Sequence, residues 1–242
     1  MTTLDKQVAL VTGASGGIGG AIAKALGAQG AQLIVTGRDT ARLDAAAAGL
    51  GAAAASIDAC ACDLTDDDAV EALCAGITAK FGRLDILVHS AGAIDHGPLA
   101  SAPLSALDRQ YRANVRGPML LTQRLLPLMK KPRGQIVFIN SSVGLTARAN
   151  TGHFSATQHA FKALADALRE EVNADGIRVM SVFPGRTATP RISTLHAKQG
   201  RSYEPELLLQ PADVAAVVLN ALTLPWTAEV TNISIRPMQK SY

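Results

Sequence analysis

Aromatic residues are scarce, only 4% of the chain, and basic residues are scattered, for a formal net charge of just +3. Such a chain lacks the stacking platform and the cationic stripe that nucleic-acid binding requires. Cysteine is nearly absent too. Cys60, Cys62 and Cys74 make an odd number, and the first two are too close for an ordinary disulfide. Reduced thiols and a cytoplasmic setting are expected. No histidines stand beside them at metal-ligand spacing, so no metal site is expected. No stretch approaches the roughly 20 apolar residues of a membrane span, and "MTTLDKQVALVTG" lacks the basic and apolar regions of a signal peptide. No membrane partner and no nucleic-acid partner are expected. Linkers rich in Pro, Ser or charge are missing as well, so residues 1–242 read as one domain.

What is present is 48% hydrophobic residue, ample for one core. The apolar residues fall into short runs: 7–12, 31–36, 85–90, 134–140, 177–183 and 230–235, with a weaker run at 56–61. Nearly continuous runs of this kind suit strands of a parallel sheet covered on both faces. Helical patterns lie between them, at 17–28, 39–49, 66–81, 103–130, 152–174 and 211–222. The Ala-rich "AAAAGLGAAAAS" reads as a helix end leading into the next strand, and Thr65 reads as the cap of the acidic first turn that follows it. Strand–helix alternation predicts a Rossmann-type, doubly wound α/β sandwich with its ligand at the carboxyl ends of the strands.

"VALVTGASGGIGGAIAKAL" places Gly13, Gly17 and Gly19 between the first strand and the first helix. Glycine permits the tight turn and a close approach of backbone to a pyrophosphate, and the helix N-terminus offers free N–H groups to the anion. In a dinucleotide site, an acidic residue at the end of the second strand binds the adenosine ribose and repels a 2′-phosphate. Here that place is Gly37, 18 residues past Gly19, and Arg38 follows. A guanidinium without the carboxylate favours NADP(H) over NAD(H). By sequence the phosphate site rests on this one arginine, which could instead pair with Asp39.

The glycine spacing, with "CDL" at 62–64, "LVHSAG" at 87–92, "NVRG" at 114–117, "INSSVG" at 139–144 and "FPGRTATP" at 183–190, resembles the short-chain dehydrogenase/reductase family along almost the whole chain. The resemblance implies that Ser15 and Ile18 join the glycines at the phosphates. It also implies that Asp63 and Leu64 lie against the adenine, that Ala91 and Gly92 line the cofactor floor, and that Pro184, Gly185 and Thr187 close over the nicotinamide. His89 and Ser90 stand where the family usually has two Asn. The family's reaction moves hydride between nicotinamide and a carbonyl or alcohol. A Tyr supplies the proton, a Lys four residues on lowers its pKa and holds the ribose, a Ser 13 residues earlier polarises the substrate, and an Asn holds a relay water.

Ser141 and Asn114 match that pattern. Thirteen residues after Ser141, however, stands Phe154, and four later Gln158. Phe has no proton to transfer and Gln no charge. Among substitutes, His153 and His159 are neighbours of these positions and point about 100° away on a helix. Tyr111, one turn before Asn114, could approach the pocket but is expected in packing, and His96, on the loop after the fourth strand, could reach the substrate but is expected as a solvated loop residue. Residues 190–210, with Arg191, His196, Arg201 and Tyr203, read as a variable lid. Three readings follow: an impaired oxidoreductase of the carbonyl reductase or alcohol dehydrogenase type, a silent NADP(H)- or ligand-binding homologue, and a lyase or isomerase. The family also implies a small-molecule substrate and a homodimer or homotetramer.

Overall fold

In β1, Val8–Thr12, side chains alternate between two separate cores. Val8 and Leu10 enter one, Ala9 and Val11 the other, as the period of two along a strand demands. A central strand must therefore be buried at every position, as each residue of β1 is, and apolar from Val8 to Val11. The computed structural model describes residues 3–51 and 54–239. Around β1 run the parallel strands β2 (Gln32–Gly37), β3 (Ser56–Ala61), β4 (Ile86–His89), β5 (Gln135–Ile139), β6 (Arg178–Pro184) and β7 (Asn232–Ile235). Their order is β3-β2-β1-β4-β5-β6-β7. The chain winds one way from β1 to β3 and crosses back to lay β4 on the other side of β1. That reversal opens a crevice at the carboxyl ends of the strands.

One face is covered by α1 (Gly17–Ala28), α2 (Thr40–Leu50) and α8 (Pro211–Leu222), through residues such as Ile22, Leu26, Leu43 and Val218. The other is covered by α3 (Asp67–Phe81), α5 (Gly117–Lys130) and α6 (Gly152–Val172), through Val70, Ile77, Leu125 and Phe161. Each fully buried Leu or Ile contributes about 1.5–3 kcal/mol. The expected α/β sandwich is therefore the fold observed, and among the described residues no helix is long and apolar enough to cross a membrane.

Two local expectations are corrected, one helix is added, and one reading holds. The segment 103–130 is not one regular helix: α4 (Leu104–Tyr111) and α5 are joined by a π turn, Arg112–Arg116. A π turn adds one residue to a helical turn and leaves a backbone carbonyl unused; apolar spacing does not reveal it. The cap of α3 is Asp66, whose carboxylate accepts from Asp68 N and Ala69 N, whereas Thr65 bonds to Asp63. The stretch 190–210 contains a helix, α7 (Pro190–Lys198), capped by Thr189. The Ala-rich stretch does end a helix, at Leu50; Ala52 and Ala53 lie outside the described residues.

Candidate functional site

A cleft of about 910 Å³ runs across the carboxyl ends of the strands. The site residues anticipated from the sequence all line it. Gly13, Ser15, Gly17, Ile18, Gly19 and Arg38 form one end. Asp63, Leu64, Ala91 and Gly92 form the floor, and Pro184, Gly185 and Thr187 the far wall. Ser141, Asn114, Phe154 and Gln158 stand together at the middle strands.

The glycines do different jobs. A Cβ on Gly19 would lie 2.5 Å from the Gly13 carbonyl oxygen, and one on Gly13 would lie 2.9 Å from the Ala91 backbone. These two are needed for helix–strand and loop–loop contact. At Gly16, the residue before α1, a Cβ would meet only an Arg42 Nη2 at 3.9 Å, and no side chain caps the helix. The first N–H groups of α1 therefore open into the cleft, where an anion can accept from them.

Two further arginines gather at this end. Arg42 and Arg191 line the cleft with Arg38, the first from α2 and the second from α7. Burial, followed by the nearby Arg38 and Arg42 charges, pulls the Arg191 guanidinium below its ordinary range, although the side chain keeps an exposed edge. Asp39 does not neutralise Arg38: its carboxylate caps α2 through Arg42 N at 3.0 Å. The sequence reading found one of these cations and missed two. Arg42 follows in the first turn of α2, but Arg191 arrives from a distant segment.

The loop after β4 is fastened from both sides. Thr12 Oγ1 accepts from Ser90 N at 2.9 Å and Ala91 N at 3.0 Å. Asn114, set in the π turn, accepts from Ala93 N through Oδ1 and donates through Nδ2 to Ala93 O at 2.9 Å and Thr157 Oγ1 at 3.0 Å. Both ends of the Asn114 amide are thus engaged in holding this loop to α6. His89 is held mainly by packing. Its ring lies against Phe138 and Phe161, and its Nε2 meets Thr122 Oγ1 at 2.8 Å. Thr122 donates its own proton to Pro118 O, so His89 is the donor of the pair and carries its proton on Nε2. Full burial drives the His89 pKa down to about 3, so this ring is neutral at neutral pH.

Ser141 follows β5. Its Oγ accepts only a long bond, 3.4 Å, from Val143 N, which leaves the hydroxyl proton available to a ligand. Asn140 fixes its position relative to α6. Asn140 Oδ1 accepts from Ser141 N at 2.7 Å and Nδ2 donates to Gln158 O at 2.9 Å. The Phe154 ring is 7% exposed and borders the cleft, and the Gln158 side chain makes no hydrogen bond among the described residues.

The alternative proton carriers separate clearly. His153 is buried outside the cleft with both ring nitrogens unpartnered, and His159 is exposed with Nδ1 at 2.8 Å from Ser155 O. Tyr111 does not pack as expected; it is 49% exposed on the outer side of α4. His196 is buried against Tyr203, with Nδ1 at 2.8 Å from Ser202 O, so both hold the end of α7 to the segment that follows it. His96 is not a solvated loop residue: it is half-buried, and its ring touches that of Phe154. Among the described residues no cluster of His, Cys, Asp and Glu could hold a metal ion. Burial raises the thiols of Cys62 to about 11 and Cys74 to about 12, which makes them poor nucleophiles.

Known proteins carry the same chain path. An uncharacterized oxidoreductase of Staphylococcus epidermidis is 31% identical over 239 residues, covering 98% of this chain and 100% of the relative. The crystal structure of a metagenomic short-chain oxidoreductase in complex with NADP is 32% identical, with a TM-score of 0.85 over 99% of this chain and 100% of that one. The L-sorbose reductase of Gluconobacter frateurii, complexed with NADPH and L-sorbose, is 25% identical, with a TM-score of 0.88 over 97% of both chains. The family model described as short chain dehydrogenase matches residues 7–200, and the chain belongs to that family.

Proposed function

We propose that this chain binds NADP(H) in the cleft and is an oxidoreductase of the carbonyl reductase or alcohol dehydrogenase type, acting on a small carbonyl or alcohol at a rate held down by Phe154 and Gln158. The observation that carries the cofactor reading is the meeting of Arg38, Arg42 and Arg191 beside the uncapped start of α1. Three guanidinium groups and free N–H groups fit one phosphate on the ribose and a pyrophosphate next to it. The space at Gly16, where a Cβ would meet nothing closer than 3.9 Å, fits the same ligand. The NADP and NADPH complexes of the solved relatives support this choice.

When bound, the nicotinamide supplies or accepts hydride at the substrate carbon. The protein's own residues position the rest. Ser141 offers a hydroxyl proton to the substrate oxygen. Gln158 offers amide groups to ribose hydroxyls without the charge that a Lys would bring. Asn114 holds the cofactor floor in place. Phe154 gives the substrate an apolar wall and no proton. A positioned acid–base group is worth about 10² to 10⁴ in rate, or roughly 3 to 5 kcal/mol at the barrier. The loss of two partners that act as one unit does not simply multiply. Exposed Leu104, Tyr111 and Met119 on α4 and α5 support a homodimer or homotetramer.

The apolar ring at position 154 favours a second reading, a silent NADP(H)-binding homologue. Phe154→Tyr combined with Gln158→Lys separates the two. NADPH oxidation is followed against a carbonyl panel in both forms, with NADPH binding measured by fluorescence titration. Measurable turnover in the parent and a gain of about 10² or more in the double variant are expected. Binding without turnover in either form supports the silent homologue, and failure of both forms to bind NADPH ends the cofactor reading.

A further inference from the structure

On the oxidoreductase reading, a proton must reach the substrate oxygen, and Phe154 has none to give. The loop after β4 brings a candidate to that ring. The His96 and Phe154 ring centroids lie 6.0 Å apart with planes inclined by 45°. This loop does not sample solvent freely, because it is tied at alternate residues. Ala93 is bound to Asn114. Asp95 accepts from Arg109 Nη2 at 3.0 Å, and its N–H donates to Gln110 Oε1 at 3.1 Å. Gly97 N donates to Asn150 O at 2.9 Å, just ahead of α6. His96 is held between these ties.

The end of α7 meets the ring from another side, with Gln199 Nε2 3.4 Å from His96 Nδ1. A carboxamide can present its N–H to a bare Nδ1 or, turned over, its oxygen to an Nδ1–H. In both settings Nδ1 is occupied. Nε2 makes no hydrogen bond among the described residues, so it is the nitrogen left to exchange a proton.

We propose that His96 is the acid–base residue of this site and moves, through Nε2, the proton that the ring at position 154 cannot. In reduction the carbonyl carbon gains a hydride from reduced nicotinamide, and the π pair of the C=O bond moves onto oxygen. The new O–H bond forms as the Nε2–H bond of the imidazolium breaks, and the neutral ring then takes a proton from water. In alcohol oxidation the neutral Nε2 takes the hydroxyl proton instead.

The charged groups facing His96 are Asp95, already shared with Arg109, and Arg186. Burial is the largest influence; it outweighs the Asp95 carboxylate, which comes next, and with a smaller push from Arg186 sets the imidazole below its ordinary pKa. The ring is thus mostly neutral at neutral pH, which fixes the sign of the pH dependence. Reduction quickens as pH falls and levels off below the His96 pKa. Oxidation quickens as pH rises and levels off above it.

The test compares the parent with His96→Gln, with His96→Asn as a second variant should the first fold poorly, and with His159→Gln on the exposed face of α6 as the control. Reduction and oxidation with NADP(H) are measured across the range about pH 5 to 8, where an imidazole titrates. Loss of His96 is expected to lower kcat about 100-fold and to flatten both pH profiles, leaving the NADPH Kd from fluorescence unaltered. In NMR of the imidazole groups, NADPH is expected to displace the His96 resonances and to leave those of His159 in place. The proposal is overturned if the His96 variants keep the parent's rates and profiles. It is also overturned if NADPH binds but no turnover occurs in either direction at any pH, or if the His96 resonances ignore NADPH. Failure of NADPH to bind at all removes the preceding function, and this role with it.

Discussion

Asn140 donates through Nδ2 to the backbone carbonyl of Gln158 at 2.9 Å while its Oδ1 accepts from Ser141 N at 2.7 Å. One side chain thereby sets the distance between the strand end that carries Ser141 and the helix that carries Phe154 and Gln158. The packing around it is tight: a Cβ on Gly144 would lie 2.3 Å from the Asn140 oxygen. Asn140→Ala leaves the Ser141 N–H and the Gln158 carbonyl without these partners. A loss of about 1–3 kcal/mol is expected, the cost of an unsatisfied buried group. Urea unfolding checks it, with an unchanged m-value if only the folded state is affected.

The glycine positions permit a sharper comparison. A Cβ on Gly19 would meet the Gly13 carbonyl oxygen at 2.5 Å, whereas one on Gly49, in α2, meets nothing within 4 Å. Gly49→Ala is expected to stabilise the protein by about 0.5–1 kcal/mol, the ordinary helix-interior gain. Gly19→Ala should destabilise by more than 1–3 kcal/mol, the range typical of overpacking, because the obstacle is backbone. Thermal unfolding of the pair decides whether the glycine turn is set by internal packing as well as by a ligand.

Most of this architecture was legible before any coordinates. A strand such as β1 must be buried on both faces to serve two cores, and the apolar run from Val8 to Val11 makes that visible. Most cleft residues are legible because they lie in short motifs at strand ends, whereas Asn114, Phe154 and Gln158 lie on helical segments and are placed by the spacing of the family pattern. The features that escaped depend on contacts between segments remote in sequence. Nothing near Thr12 or Asn140 announces that the first will pin a distant loop and the second a distant helix. Arg191 joins Arg38 only after the chain has folded α7 across the cleft. Thr65 reads as the cap of α3 because Thr caps well, but its hydroxyl is engaged by Asp63, and Asp66, which caps as well, takes the helix start. His96 lay in a loop with no periodicity, so its packing on Phe154 could not be read.

The arginine group leads to a prediction about coenzyme choice. On the proposed NADP(H) reading with the arginines at the 2′-phosphate, replacing Arg38, Arg42 or Arg191 by Ala would remove one charged donor to that phosphate, worth about 1.5–3 kcal/mol. NADPH affinity should fall about 10- to 100-fold for each, with NADH affinity little changed because NADH lacks that phosphate. Rising salt should weaken NADPH more than NADH, as screening of exposed charges requires. Parallel fluorescence titrations with the two coenzymes measure both effects. Equal losses for NADPH and NADH would place these arginines at the pyrophosphate instead.

His89 makes stability depend on acid. Its folded-state pKa is lowered to about 3 from 6.5 by burial. Between those values the unfolded chain binds the proton and the folded chain does not, so acid favours unfolding. The neutral-pH stability is complete above the unfolded pKa and is lost as pH falls through this window. From pH 7 to pH 5 the loss from this one ring is about 2 kcal/mol, at 1.36 kcal/mol per pKa unit. His89→Asn removes the titrating ring, leaves an amide to meet Thr122, and opens space between Phe138 and Phe161. The variant should be less stable at pH 7 because of the lost packing, yet its stability should decline less steeply towards pH 5. Urea unfolding of both proteins along the same pH series measures the two slopes, and parallel slopes would show that the His89 ring is not the titrating group.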